Sequence, residues 1–182
     1  LAATLTANNK TYDGTTAATG SVNFTNAISG DTVSYTGGSY TFDDKNAGTN
    51  KTVTASGGSL SGTDAGNYSV GTFSTNTGVI NQRQLNVTVQ SVSNKVYDGT
   101  TSAAATFTDD RVSGDVLTIT ATGAFAQADV GTGISVNVSG ATITGGADAG
   151  NYTINNSGSV SGTADITPLA LAATLTANNK TY

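Results

Sequence analysis

Cysteine, histidine, methionine, tryptophan and glutamate are all missing from this 182-residue sequence, and Pro168 is its one proline. These absences exclude whole chemistries. Zinc sites, copper sites and Cys/His nucleophile pairs need side chains that are not there. No disulfide can form and no thiol is open to oxidation, which suits a protein living outside a cell. Charge is scarce too, at 10% of residues, with a net charge of −5 and a pI near 4.2. Scattered lysines and arginines, seven in all, make no basic patch, so nucleic acid is not an expected partner. No apolar run approaches the roughly 18 residues of a spanning helix, and membrane insertion is not expected. Nor is any metal or cofactor.

What remains is small and uncharged: Thr, Ser, Asn, Ala and 23 Gly, with 36% of residues hydrophobic. That is apolar enough for a buried core and argues against wholesale disorder. The sequence carries no signal-peptide pattern and opens inside a strand-like alternation. It therefore reads as part of something longer.

Repetition organises the chain. KTYDGTT at Lys10–Thr16 returns as KVYDGTT at Lys95–Thr101, 85 residues on, and again begins at Lys180. DAGNYSV at Asp64–Val70 returns as DAGNYTI at Asp148–Ile154, and SGDTV at Ser29–Val33 as SGDVL at Ser113–Leu117. LAATLTANNKTY opens the sequence and recurs letter for letter at Leu171–Tyr182. A period near 85 exceeds the roughly 20–50 residues of solenoid units, and is long enough for a small domain with its own core. The expected division is residues 1–82, residues 83–167, and 168–182 as the first strand of a third unit.

Within a unit, apolar residues alternate. Leu1, Ala3, Leu5 and Ala7 share one face against Thr4 and Thr6, and Ile134/Val136/Val138 and Tyr152/Ile154 repeat the pattern, with Val160 close behind. Period two means half-buried strands, and β-branched Thr and Val suit them. About seven short strands between Gly, Asn and Asp turns predict an all-β fold of small Ig-like β-sandwich units placed end to end. β-grasp-like units are the alternative.

The recurring motifs read as turns with an aromatic lock. Gly14 and Gly99 supply positive φ, Asp13 and Asp98 bond the local backbone, and Tyr12 and Tyr97 bury a ring with the hydroxyl aimed at a backbone partner. Asp64, Gly66, Asn67 and Tyr68, and their counterparts Asp148, Gly150, Asn151 and Tyr152, predict a second turn with a second tyrosine anchor.

Sharper readings compete with this one. Lys10 or Lys95 welded to Asn67 or Asn151 by an amide is conceivable, but the customary Glu is missing. Asp43-Asp44 and Asp109-Asp110 could offer oxygens to calcium, yet they do not align between repeats. Asn-x-Ser/Thr triplets at Asn9, Asn23, Asn50, Asn67, Asn86, Asn137, Asn151 and Asn155 permit glycosylation without requiring it. Thr118/Thr120 and Thr142/Thr144 suit polar outer strand faces better than a binding ladder. With Asp as the sole side-chain carboxylate and no His base, no catalytic residues are expected.

Together, KTYDGTT, the SGD turn, FDDKNAGTNKTV, GTDAGNYSV and VINQRQL resemble the YDG repeat, a relative of MBG-type repeats, over Lys10–Ile80 and Lys95–Ile166. The resemblance implies a large surface adhesin of a Gram-negative bacterium, similar to filamentous haemagglutinin, secreted and displayed at the cell surface. The second unit departs at Phe125–Val136, FAQADVGTGISV, which marks the charges of Asp43–Lys45 as dispensable to the module. The expected role is a monomeric stalk whose partners are neighbouring repeats of its own chain. The alternative is an adhesive module gripping a host or matrix glycan or protein, or mediating biofilm contact, through aromatics such as Tyr35 or Tyr40.

Overall fold

The computed structural model describes residues 2–154 and 160–182. Leu1 and the triplet at Asn155 lie outside them, as does the side chain of Val160. The chain is all-β: sixteen strands and two short 3-10 turns, with no α-helix among the described residues.

The first repeat contributes β1 (Ala3–Ala7), β2 (Lys10–Thr11), β3 (Ala17–Ala18), β4 (Gly20–Phe24), β5 (Ser34–Phe42), β6 (Gly48–Ser61) and β7 (Phe73–Asn81). β1 pairs antiparallel with β4, and the others form a five-stranded sheet in the order β2-β7-β6-β5-β3. The second repeat adds β8 (Arg83–Leu85), β9 (Val87–Val92), β10 (Lys95–Val96), β11 (Ser102–Ala103), β12 (Ala105–Asp109), β13 (Thr118–Phe125), β14 (Gly131–Gly145), β15 (Tyr152–Ile154) and β16 (Val160–Thr167). Its sheet, β10-β16-β14-β13-β11, and its β9–β12 pair repeat the first pattern. One pairing has no counterpart in the first repeat among the described residues: β8 runs parallel to β15, Arg83 opposite Tyr152 and Leu85 opposite Ile154.

Alternation explains the strands. In β1, Leu5 is buried while Thr4 and Thr6 face solvent; in β14, Ile134, Val136 and Val138 are buried while Ser135 and Asn137 are exposed. Phe125, Ala164 and Ile166 close on β14 to make one core, with Val89, Val92 and Phe107 packed against it. Each Val or Ile so buried contributes about 1.5–3 kcal/mol.

Contacts divide the chain into two compact units. One holds Leu1–Asn86, Asp110–Ile119 and Ile143–Asn155; the other holds Val87–Asp109, Thr120–Thr142 and Asn156–Tyr182. Residues 168–182 form no strand and are exposed, with Leu171 and Leu175 at 90% and 94%.

Candidate functional site

The KxYDGT motif closes on itself. Asp13 Oδ1 accepts from the Thr15 backbone N–H at 2.9 Å and from Lys10 Nζ at 2.7 Å, and Lys10 also donates to the Thr15 carbonyl. Lys95, Asp98 and Thr100 repeat every one of these bonds. Gly14 and Gly99 sit at φ +79° and +75°, the left-handed region that glycine enters without steric cost. Such partly exposed ion pairs add little energy; their effect is to fix the turn.

The two motifs part company at the tyrosine. Tyr12 is 1% exposed, whereas Tyr97 is 38% exposed. Tyr12 lies among residues of Asp110–Ile119 and Ile143–Asn155, all within the first compact unit. Its ring meets Tyr152 edge to face, centroids 5.4 Å apart. Its hydroxyl donates not to a backbone group, as the sequence suggested, but to Asp115 Oδ2 at 2.9 Å. A carboxylate wins because Tyr152 and Lys45 satisfy the same anion. The Tyr152 hydroxyl donates to Asp115 Oδ2 at 2.6 Å while accepting from the Val112 N–H. Lys45 Nζ reaches Asp115 Oδ1 at 3.3 Å and Asp148 Oδ1 at 3.2 Å.

Amide contacts complete the site. The Ala47 N–H donates to Asn151 Oδ1 at 2.8 Å, Asn151 Nδ2 to Asn46 Oδ1 at 3.3 Å, and Gln82 Nε2 to the Gly150 carbonyl at 2.9 Å. Gly14 has a second reason to be glycine, since a Cβ there would stand 2.9 Å from Val112 Cγ1; at Gly99 the space is open. The Asp115 side chain is 4% exposed. A carboxylate so desolvated persists only when its oxygens are bonded, and here three donors serve it.

Of the residues singled out by sequence, the site gathers Tyr12, Asp148, Gly150, Asn151 and Tyr152, with Asp13 and Gly14 beside them. Asp64, Asn67 and Tyr68 occupy the corresponding positions of the first repeat, with Asp31 and Ile28 in place of Asp115 and Val112. Gly66 lies in the 3-10 turn Ala65–Asn67 with open space beside it, and Tyr97, Asp98 and Gly99 form the turn alone. Lys45 and Asp115 were not singled out. The one trace of Lys45 was its replacement by Ala128 in the second repeat, and that replacement distinguishes an end that uses the lysine from one that does not.

Other candidates have ordinary partners. Lys51, 8% exposed, pairs with Asp44 at 2.6 Å and Asp43 at 3.8 Å. Asp110 accepts from the Asn86 backbone and side chain, and Thr120 and Thr142 hydroxyls bond each other at 3.3 Å. Asn151 is 3% exposed, which leaves no room for a glycan.

Burial alone would raise the Asp115 carboxyl, but hydrogen bonds from Tyr152, Tyr12 and Lys45 outweigh it and hold it below its ordinary value. Burial and the Asp115 carboxylate push Tyr152 up to about 12. A depressed carboxyl stabilises above its unfolded value, near 3.9, and loses that contribution as pH falls through the lower folded one. A raised phenol stabilises below about 10, and its contribution disappears as pH climbs from there to about 12. The thermal midpoint is therefore expected to be flat between about pH 4 and 10 and to fall on both sides. Melting followed by circular dichroism across pH tests this; a decline beginning near neutrality would contradict the assignment.

An all-β unit, written twice and closed each time by a Lys-x-Tyr-Asp-Gly turn, defines a repeat-forming β-domain. The chain belongs to the YDG domain family, which matches residues 1–78 and again 81–161. No curated protein and no solved structure matches it significantly.

Proposed function

We propose that the chain is a stalk segment: tandem Ig-like sandwiches, set end to end in a secreted bacterial surface adhesin, that hold a separate adhesive region away from the cell. One observation carries this reading. A buried polar constellation, Tyr12–Asp115–Tyr152–Lys45, is spent on joining residues of one repeat to residues of the next. Buried, mutually satisfied groups of this kind resist motion between the segments they connect, which is what a spacer requires and a ligand site does not.

The binding alternative has less support. Tyr35 is committed internally: its hydroxyl accepts from the Gly58 N–H at 3.0 Å and its ring packs on Phe73. Neither Tyr35 nor Tyr40 has a tyrosine at the matching place in the second repeat. A unit of this size has a radius of gyration of about 12 Å and a length of roughly 30–40 Å, so two in line should reach about 60–80 Å. Small-angle scattering is expected to find that maximum dimension. A value near that of a single globule, or reproducible micromolar binding on a glycan or matrix-protein array, would sink the spacer reading.

A further inference from the structure

The acceptor half of the Tyr12/Lys45 joint exists twice, and among the described residues only one copy is occupied. In the second repeat, Val112, Asp115, Asp148, Asn151 and Tyr152 receive Tyr12, Lys45, Asn46 and Ala47. The first repeat builds the same constellation from Ile28, Asp31, Asp64, Asn67 and Tyr68. The Tyr68 hydroxyl donates to Asp31 Oδ2 at 2.7 Å and accepts from the Ile28 N–H at 2.9 Å, matching Tyr152 with Asp115 and Val112. Asp64 Oδ2 accepts from the Thr32 N–H at 2.8 Å, as Asp148 Oδ2 does from Val116 at 3.0 Å. The face is thus preformed before anything docks on it.

What it lacks is its cover. Ile28 is 69% exposed, Asn67 is exposed where Asn151 is buried, and no lysine or arginine pairs with Asp31 or Asp64 among the described residues. Tyr68–Val70 have no strand partner among the described residues, whereas Tyr152–Ile154 pair with Arg83–Leu85 of the connecting segment.

We propose that the Ile28/Asp31/Asp64/Tyr68 face is the docking site for another YDG repeat whose Tyr12-equivalent end carries a lysine at position 45. The occupied joint supplies the argument: the same residue types at the same spacings already hold such an end. Charge adds selectivity. The second repeat's own end offers Ala128, Asp129 and Val130 where the first offers Lys45, Asn46 and Ala47, so it brings no cation to Asp31 and Asp64 and adds an aspartate where Asn46 meets Asn151. Repeats ending in lysine are accepted here, and repeats ending like the second are refused.

Docking at this face takes its partner from the spacer reading, yet the two fail separately. Joining residues 1–84 directly ahead of Leu1 gives a three-repeat chain with the native connecting sequence. Its middle copy then holds the face in question. Amide exchange at Ile28 and Tyr68–Val70 of that copy is expected to slow at least about tenfold relative to the 182-residue chain. Lys45→Ala in the leading copy alone, or Asp31→Asn with Asp64→Asn in the middle copy, should abolish the gain. Unchanged exchange in the three-repeat chain overturns the proposal. Slowing that ignores both sets of substitutions overturns the lysine–aspartate recognition. Retained protection in a chain that scattering finds no longer than two repeats would instead remove the spacer reading and leave the docking site standing.

Discussion

Tyr12→Ala is expected to cost about 3–5 kcal/mol, in the range of large aromatic truncations in cores. The same change at Tyr97, in the same motif, should cost less than about 1 kcal/mol. The letters around the two residues are nearly identical, so turn chemistry cannot separate them. Burial does: Tyr12 is 1% exposed and packed edge to face on Tyr152, while Tyr97 is 38% exposed. Removing the Tyr12 ring opens a cavity against Tyr152 and takes a donor from Asp115. Urea denaturation of both variants, with the slope checked for constancy, provides the comparison. Equal losses would mean that Tyr12 acts only through its turn.

Asp115→Ala should cost about 2–3 kcal/mol, because two buried tyrosine hydroxyls lose their acceptor and Lys45 loses one of its two anions. Asp31→Ala removes the equivalent carboxylate from an uncovered face, where water can take its place, and should cost below about 1 kcal/mol. The Tyr12→Phe and Asp115→Ala changes together complete a cycle in which a coupling of about 1 kcal/mol is expected. A coupling of zero would show that the 2.9 Å hydrogen bond contributes nothing.

Much of the fold was legible because strands betray themselves by period. Leu5 between Thr4 and Thr6, and Val136 between Ser135 and Asn137, announce which face is buried before any partner is known. The Asp13-Gly14 turn was legible for the same local reason. The site was only half legible. Tyr12, Asn151 and Tyr152 stood out because they recur, but recurrence also drew attention to Tyr97, which does none of the same work. Lys45 and Asp115 are 70 positions apart, and contacts at that distance leave no periodic mark. The difference between FDDKNAG and FAQADVG looked like tolerance in a loop, whereas it separates an end that grips Asp115 from one that cannot. Nor could alternation reveal that Val112 comes to rest on Gly14, since that closeness depends on how two loops meet.

The placement of the basic residues has a bearing on durability. Within strands, Lys10, Lys51 and Lys95 are each clasped by aspartate, and Arg83 is laid into the β8–β15 pairing. Endopeptidases that cut after basic side chains need a slack length of backbone, so at these points they can act only while the β-structure is transiently open. Digestion at these strand positions then keeps time with the unfolding equilibrium, and each such bond lasts as long as its strand stays paired.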